Sequence, residues 1–74
     1  MEQYTLNGIV WAEKFDGKIK IQGMAKVCSN FMCRTPRGVM RVYVGDYIIK
    51  TQSNELLVVP SNIFDLMVGD NGNI

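Results

Sequence analysis

Two cysteines, a basic middle and a few scattered carboxylates are the side chains here with reactive chemistry to offer, and the chain contains no histidine. Cys28 and Cys33 are separated by four residues, a spacing used neither by zinc knuckles nor by the redox C-x-x-C pair. A tetrahedral zinc site would also need two carboxylates from elsewhere, so no metal and no cofactor is expected. Both thiols read as buried or half-buried free cysteines of a reducing cytoplasm. Without histidine the commonest general base and nucleophile activator is missing. Asp46 and Glu55 form a carboxylate pair on paper, but Asp46 occupies a turn position that favours aspartate for local reasons. Gly38 and Gly45 are isolated turn glycines and build no phosphate cradle. The expectation is a protein that is not an enzyme.

The charge pattern says more. Residues 14–41 hold Lys14, Lys18, Lys20, Lys26, Arg34, Arg37 and Arg41 against Asp16 alone, a balance of +6. Residues 1–13 contribute −2 through Glu2 and Glu13. Residues 42–74 contribute −3, Lys50 against Asp46, Glu55, Asp65 and Asp70, and the three segments return the net +1 of the chain. A basic middle attracts an acidic protein surface or a phosphate backbone, because long-range attraction raises encounter rates with either. Lysines on outward strand positions also do a plainer job, keeping a sheet soluble and its edges blunt. The candidate binding residues are Trp11, Lys18, Lys20, Phe31, Arg34, Arg37, Arg41 and Tyr43. Trp11, Tyr43 or Tyr47 could stack a base beside the lysines if the partner were a single strand.

These residues must be positioned by strands. In residues 39–44, Met40, Val42 and Val44 fall on one face of an extended chain and Val39, Arg41 and Tyr43 on the other, the period two of a half-buried strand. Gly45 and Asp46 suit a two-residue type II′ turn that would return residues 47–51 as the partner strand. Residues 52–55 are polar turn formers, and Leu56–Val59 is apolar throughout, which suggests a strand covered on both faces. Pro60 stops that strand, and Ser61 can cap a helical turn over residues 62–67 with Ile63, Phe64 and Met67 closing the core. Gly69 would end the turn, leaving residues 69–74 as a flexible tail after a single domain over residues 1–68.

Nearer the N-terminus, residues 4–11 read as the first strand, with Asn7 and Gly8 as a bulge or an early turn. Asp16 and Gly17 read as a hairpin turn, since Lys18, Lys20 and Gln22 alternate with Ile19 and Ile21. Residues 24–30 suit helix or strand; the turn signature Thr35, Pro36, Arg37, Gly38 needs a strand on either side and tips the reading to strand. At 74 residues the core is small. The hydrophobic share of 47% argues against disorder. No apolar run nears the roughly 20 residues of a membrane-spanning helix, and the start MEQYTLNG lacks the basic and apolar regions of a secretory signal. A cytoplasmic protein that does not enter membranes is expected.

Two resemblances add to this. Within residues 36–68 the run Gly45, Asp46, Tyr47, Ile48, Ile49, Lys50, followed by Pro60 and the Ile63-Phe64 pair, resembles the C-terminal module of small uncharacterised proteins encoded by bacteriophages and prophages. The glycine that usually follows the lysine is Thr51 here, the usual aromatic strand is the aliphatic Leu56–Val59, and the N-terminal helix of that group has no counterpart. The resemblance covers under half of the chain and implies a phage origin more than an activity. Val59, Pro60, Ser61 and Asn62 are similar to the P-S-N-Y turn near the end of SH3 domains, which implies architecture only, since paired tryptophans and an acidic loop are missing.

The sequence therefore leads to a mainly β fold, with α+β the alternative. It would be a single small antiparallel sheet or an SH3-like, partly open barrel of five or six short strands with a C-terminal helical turn. The expected function is that of a small phage accessory protein which binds and modulates, most simply by inhibition, a host bacterial protein. The alternatives are a nucleic-acid-binding module using residues 14–41, and a self-assembling phage structural component that forms homo-oligomers.

Overall fold

Short β-prone runs separated by glycines at positive φ cannot make one long sheet; they turn back repeatedly and stack. The structure, a computed structural model, describes residues 1–5 and 8–72, with side chains as far as Val68. In chain order the described residues form β1 (Glu2–Thr5), β2 (Ile9–Lys14), β3 (Met24–Val27), β4 (Asn30–Thr35), β5 (Gly38–Val42), β6 (Tyr47–Lys50), β7 (Leu56–Val59) and α1 (Ser61–Gly72). Strands β1, β2, β6 and β7 lie in that order in one sheet, and β3, β4 and β5 make a second. Every pairing is antiparallel. The fold is mainly β, as expected, but the described residues form two sheets and seven strands, and they do not close into an SH3-like barrel.

Strand alternation then builds two cores on opposite faces of the four-stranded sheet. Phe15, Met24, Cys33, Val42, Ile48 and Leu56 are buried between the sheets, with Phe31 and Val58 packed against them. On the other face Ala12, Ile49 and Phe64 are buried under the helix, supported by Tyr4, Tyr47 and Val59. Adjacent residues Ile48 and Ile49 thus serve different cores, as period two requires. Phe64 clamps the helix down by stacking on Tyr47 (3.9 Å between centroids, 13° between planes) and meeting Tyr4 edge-on (5.1 Å, 88°).

Several local expectations need correction. Residues 4–11 are not one strand: β1 and β2 pair as a hairpin, from Glu2 opposite Ala12 to Thr5 opposite Ile9. Asn7, half of the expected bulge or turn, lies outside the described residues. The Asp16-Gly17 hairpin does not form. Asp16 instead accepts bonds from the Lys18 amide (3.0 Å) and Lys20 Nζ (2.9 Å), which curls residues 16–20 away from an extended path. Strand β2 pairs with β6, far along the chain. Gly45 and Asp46 do not close a hairpin either, because β5 and β6 belong to different sheets. Asp46 N donates to Tyr43 O (3.0 Å), so Val44 and Gly45 are the central pair, with Gly45 at φ +100° in the third place where a type II turn needs it. That corner carries the chain from one sheet to the other, and Phe15 holds it through two backbone bonds, Phe15 N to Asp46 O (2.7 Å) and Gly45 N to Phe15 O (2.9 Å).

Residues 24–30 resolve into β3 and a tight turn at Cys28 and Ser29, both at positive φ. Cys33 is fully buried, and burial pushes its thiol above the ordinary range. Cys28 is exposed, against the expectation for it, and both thiols are free. In β7 one face carries buried Leu56 with half-buried Val58 and the other exposed Leu57 with half-buried Val59, so neither face is covered throughout. The carbonyl of Pro60, not Ser61, takes the cap position by accepting the first helical bond from Phe64 N (2.9 Å). The helix then passes through Gly69 to Gly72, longer than the expected turn; within it Ile63 is exposed and Val68, rather than Ile63, packs on the core. Asn73 and Ile74, at the end of the expected tail, lie outside the described residues.

Candidate functional site

The antiparallel register sorts the basic residues. In β4, Phe31, Cys33 and Thr35 turn inward, which leaves Met32 and Arg34 on the outer face of the three-stranded sheet. Arg41 lies opposite Met32 and Val39 opposite Arg34, while Ala25 lies opposite Met32 on the other side. The outer face is therefore a mosaic of Ala25, Val27, Met32 and Val39 with Arg34 and Arg41. Val27 is 53% exposed, Val39 62% and Tyr43, beside the face, 56%. Its β5 residues Val39 and Arg41 are both exposed.

The charge on this face is unopposed. Between Asp16 and Asp46 the chain has no acidic residue. Among the described residues no carboxylate forms an ion pair with Arg34, Arg37 or Arg41. The Arg41 guanidinium sits 4.7 Å from the centre of the Tyr43 ring, which presents both groups together as a semi-rigid pair. Arg37 extends the basic surface at the β4–β5 turn, a turn fixed by Thr35, whose hydroxyl donates to Gly38 O (2.7 Å) and accepts from Arg37 N (3.2 Å).

Four of the eight expected binding residues, Arg34, Arg37, Arg41 and Tyr43, are thus brought together. The other four go elsewhere. Phe31 packs edge-on to Phe15 (4.8 Å) against the inter-sheet core, with Lys26 Nζ 5.6 Å from its ring, so its aromatic surface is already used inside the fold. Lys18 is exposed on the 16–20 curl. Lys20 is held by Asp16; the shared hydrogen bond keeps the Asp16 carboxyl below its ordinary range and Lys20 above its own. Trp11 lies on the four-stranded sheet, with Gln3 and Lys50 as its cross-strand neighbours.

Trp11 borders a second feature that sequence reasoning did not single out. Where the two sheets diverge, an open groove of about 870 Å³ runs past Lys20, Gln22, Arg34, Lys50, Asn54 and Glu55. It adjoins a smaller depression of about 350 Å³ beside Trp11 and Gln52, with Met1, Lys50 and Asn54 common to both. Lys50 has no ion-pair partner among the described residues, whereas Glu13 on the groove wall faces the N-terminal ammonium at 3.6 Å. The β6–β7 turn that carries Gln52 and Asn54 is set by the Thr51 hydroxyl, which accepts from Ser53 N (3.3 Å) and Glu55 N (3.2 Å).

Neither surface presents a catalytic constellation. Asp46 Oδ2 is occupied by its own turn, accepting from Tyr43 N at 2.9 Å. Among the described residues no cluster of three or more cysteines and carboxylates could hold a metal ion, and no helix is long and apolar enough to cross a membrane. Comparison with protein-family models, with curated proteins and with solved structures returns no match.

Proposed function

We propose that this chain is a non-enzymatic binding protein that docks the outer face of its three-stranded sheet on an acidic surface of another protein and modulates that protein by covering it. The observation that carries the reading is the composition of that face: exposed aliphatic residues interleaved with unpaired arginines and an arginine-stacked tyrosine, with no carboxylate among them. Arginine and tyrosine are enriched at protein interfaces and at their energetic centres, and a flat apolar sheet face excludes water around them. Free guanidiniums supply the bidentate, charge-assisted bonds that carboxylates accept.

The phage-like segment makes a host bacterial protein in the cytoplasm the partner we propose, and inhibition the simplest outcome of masking its surface. A standard interface takes roughly 800 Å² from each partner, a large share of a chain this small. The test is capture from bacterial lysate by the tagged protein, with nuclease present. The expected result is one stoichiometric protein, retained after nuclease, released by raised salt, and lost when Arg37 and Arg41 are both changed to alanine. Undiminished capture by that folded double variant would sink the proposal, and capture that disappears with nuclease would replace the protein partner by nucleic acid.

A further inference from the structure

We infer that the groove between the sheets, together with the depression beside Trp11 that adjoins it, is a second site, built to hold a nucleotide with its base on Trp11 and its phosphate at Lys50. Trp11 and Lys50 are direct cross-strand partners in β2 and β6, so both side chains rise from the same face of the four-stranded sheet, where the second sheet leaves it open. Paired positions in an antiparallel sheet hold their Cβ atoms about 5 Å apart, which sets a flat indole beside an ammonium at the spacing of a base and its sugar-phosphate. Every base presents a π-face to an aromatic platform, and a lysine beside it neutralises the backbone charge.

The surrounding residues fit the rest of such a ligand. Gln52 and Asn54 bring amides that can donate to and accept from a base edge, and the Thr51-centred turn fixes where they start. Arg34 adds a second cation without an ion-pair partner to the wall of the larger groove. Glu55, which has no ion pair among the described residues, is suited to accept from ribose hydroxyls or an exocyclic amine. The depression beside Trp11, about 350 Å³, and the adjoining groove, about 870 Å³, each lie in the range of small-molecule sites. Lys20 contributes less, because Asp16 already holds its ammonium at 2.9 Å.

The same chemistry is offered by a free nucleotide and by one residue of a single strand, and one experiment separates them. Trp11 is the only tryptophan of the chain, so its emission reports on this groove alone. The protein is titrated with each ribonucleoside monophosphate and, separately, with a short single-stranded DNA of mixed sequence. Saturable quenching by a monophosphate identifies a free-nucleotide site; saturation by the DNA alone identifies a single-strand site. In either arm Lys50→Gln weakens binding roughly tenfold, Trp11→Ala, followed by calorimetry, does so at least as strongly, and Trp11→Phe retains most of it because a ring remains to stack. Lys26→Gln, outside the groove, leaves affinity unchanged. Absence of a saturable change in both arms, or equal affinity in the folded Lys50→Gln variant, overturns the inference. The outcome is distinguishable from that of the outer-face proposal: Arg34 alone belongs to both surfaces, Trp11 and Lys50 lie off the outer face, and Arg37 and Arg41 do not line the groove.

Discussion

Gly23 stands where β3 leaves the 16–22 segment, and its carbonyl accepts from Arg34 N at 3.0 Å. Its φ is +105°, and a Cβ built on it would lie 2.9 Å from Cδ1 of the buried Leu56. Gly38, at φ +111°, has open space in the same direction. Gly38→Ala should therefore lose about 1–3 kcal/mol through backbone strain alone, while Gly23→Ala loses the same plus about 1 kcal/mol or more from crowding in a packed core. Urea unfolding of the two variants checks this, and equal losses would contradict it. Asp16 offers a second test at this scale. Its folded-state pKa is lowered, chiefly by the Lys20 hydrogen bond, so the stabilisation is present above the unfolded carboxyl's pKa and is lost as pH falls through the folded one. The raised pKa of Lys20 sets the alkaline limit, where the contribution is lost as pH rises through the folded lysine's value. Asp16→Asn keeps an acceptor for the Lys18 amide but removes the charge. Its melting temperature should fall below the wild type's at neutral pH and rejoin it in acid; a gap that persists below the carboxylate range would show that the ion pair is not its source.

At the scale of elements, the helix depends on one residue more than on its own sequence. Apart from Phe64, which is 2% exposed, the described helix offers the sheet only half-buried side chains such as Val68. Phe64→Ala should lose about 3–5 kcal/mol, the range for deleting a buried phenylalanine, and release the helix first. Hydrogen exchange would then show α1 amides losing protection before those of β2 and β6; uniform loss would mean that helix and sheet unfold together. The elements also show what a linear reading can recover. Strands β4 to β7 and the 35–38 turn were legible, because each is bounded by residues whose local chemistry stops a strand: Pro36 with Gly38, Gly45, the 52–55 run and Pro60. The 18–22 alternation misled because Asp16 claims the Lys18 amide and the Lys20 ammonium, a side-chain competition that hydrophobic period does not register. Gly45 was correctly read as a turn glycine, but whether a turn closes a hairpin or changes sheets depends on partners elsewhere in the chain.

The charge pattern along the chain carries partly into space: the three-stranded sheet and its turns hold Lys26, Arg34, Arg37 and Arg41 with no acidic residue, while Lys14 and Lys50 lie on the four-stranded sheet with Glu2 and Glu13. That Arg34, Arg37, Arg41 and Tyr43 are neighbours was legible because they sit within ten residues of one another around a single hairpin. The groove was not, since Trp11 and Lys50 meet only through the long-range pairing of β2 with β6. Two exposed apolar surfaces lie on different elements, the outer face with Val39 at 62% exposure and the helix with Ile63 at 43%, and they allow a direct trial of which one docks. The measurement is quantitative capture of the partner by the wild type, by Val39→Asp on the outer face and by Ile63→Asp on the helix, each confirmed folded by circular dichroism. Docking through the outer face predicts that Val39→Asp abolishes capture, because it sets a carboxylate against an acidic partner, while Ile63→Asp captures as the wild type does. Capture that survives Val39→Asp and is lost with Ile63→Asp would contradict the account and move the interface to the helix.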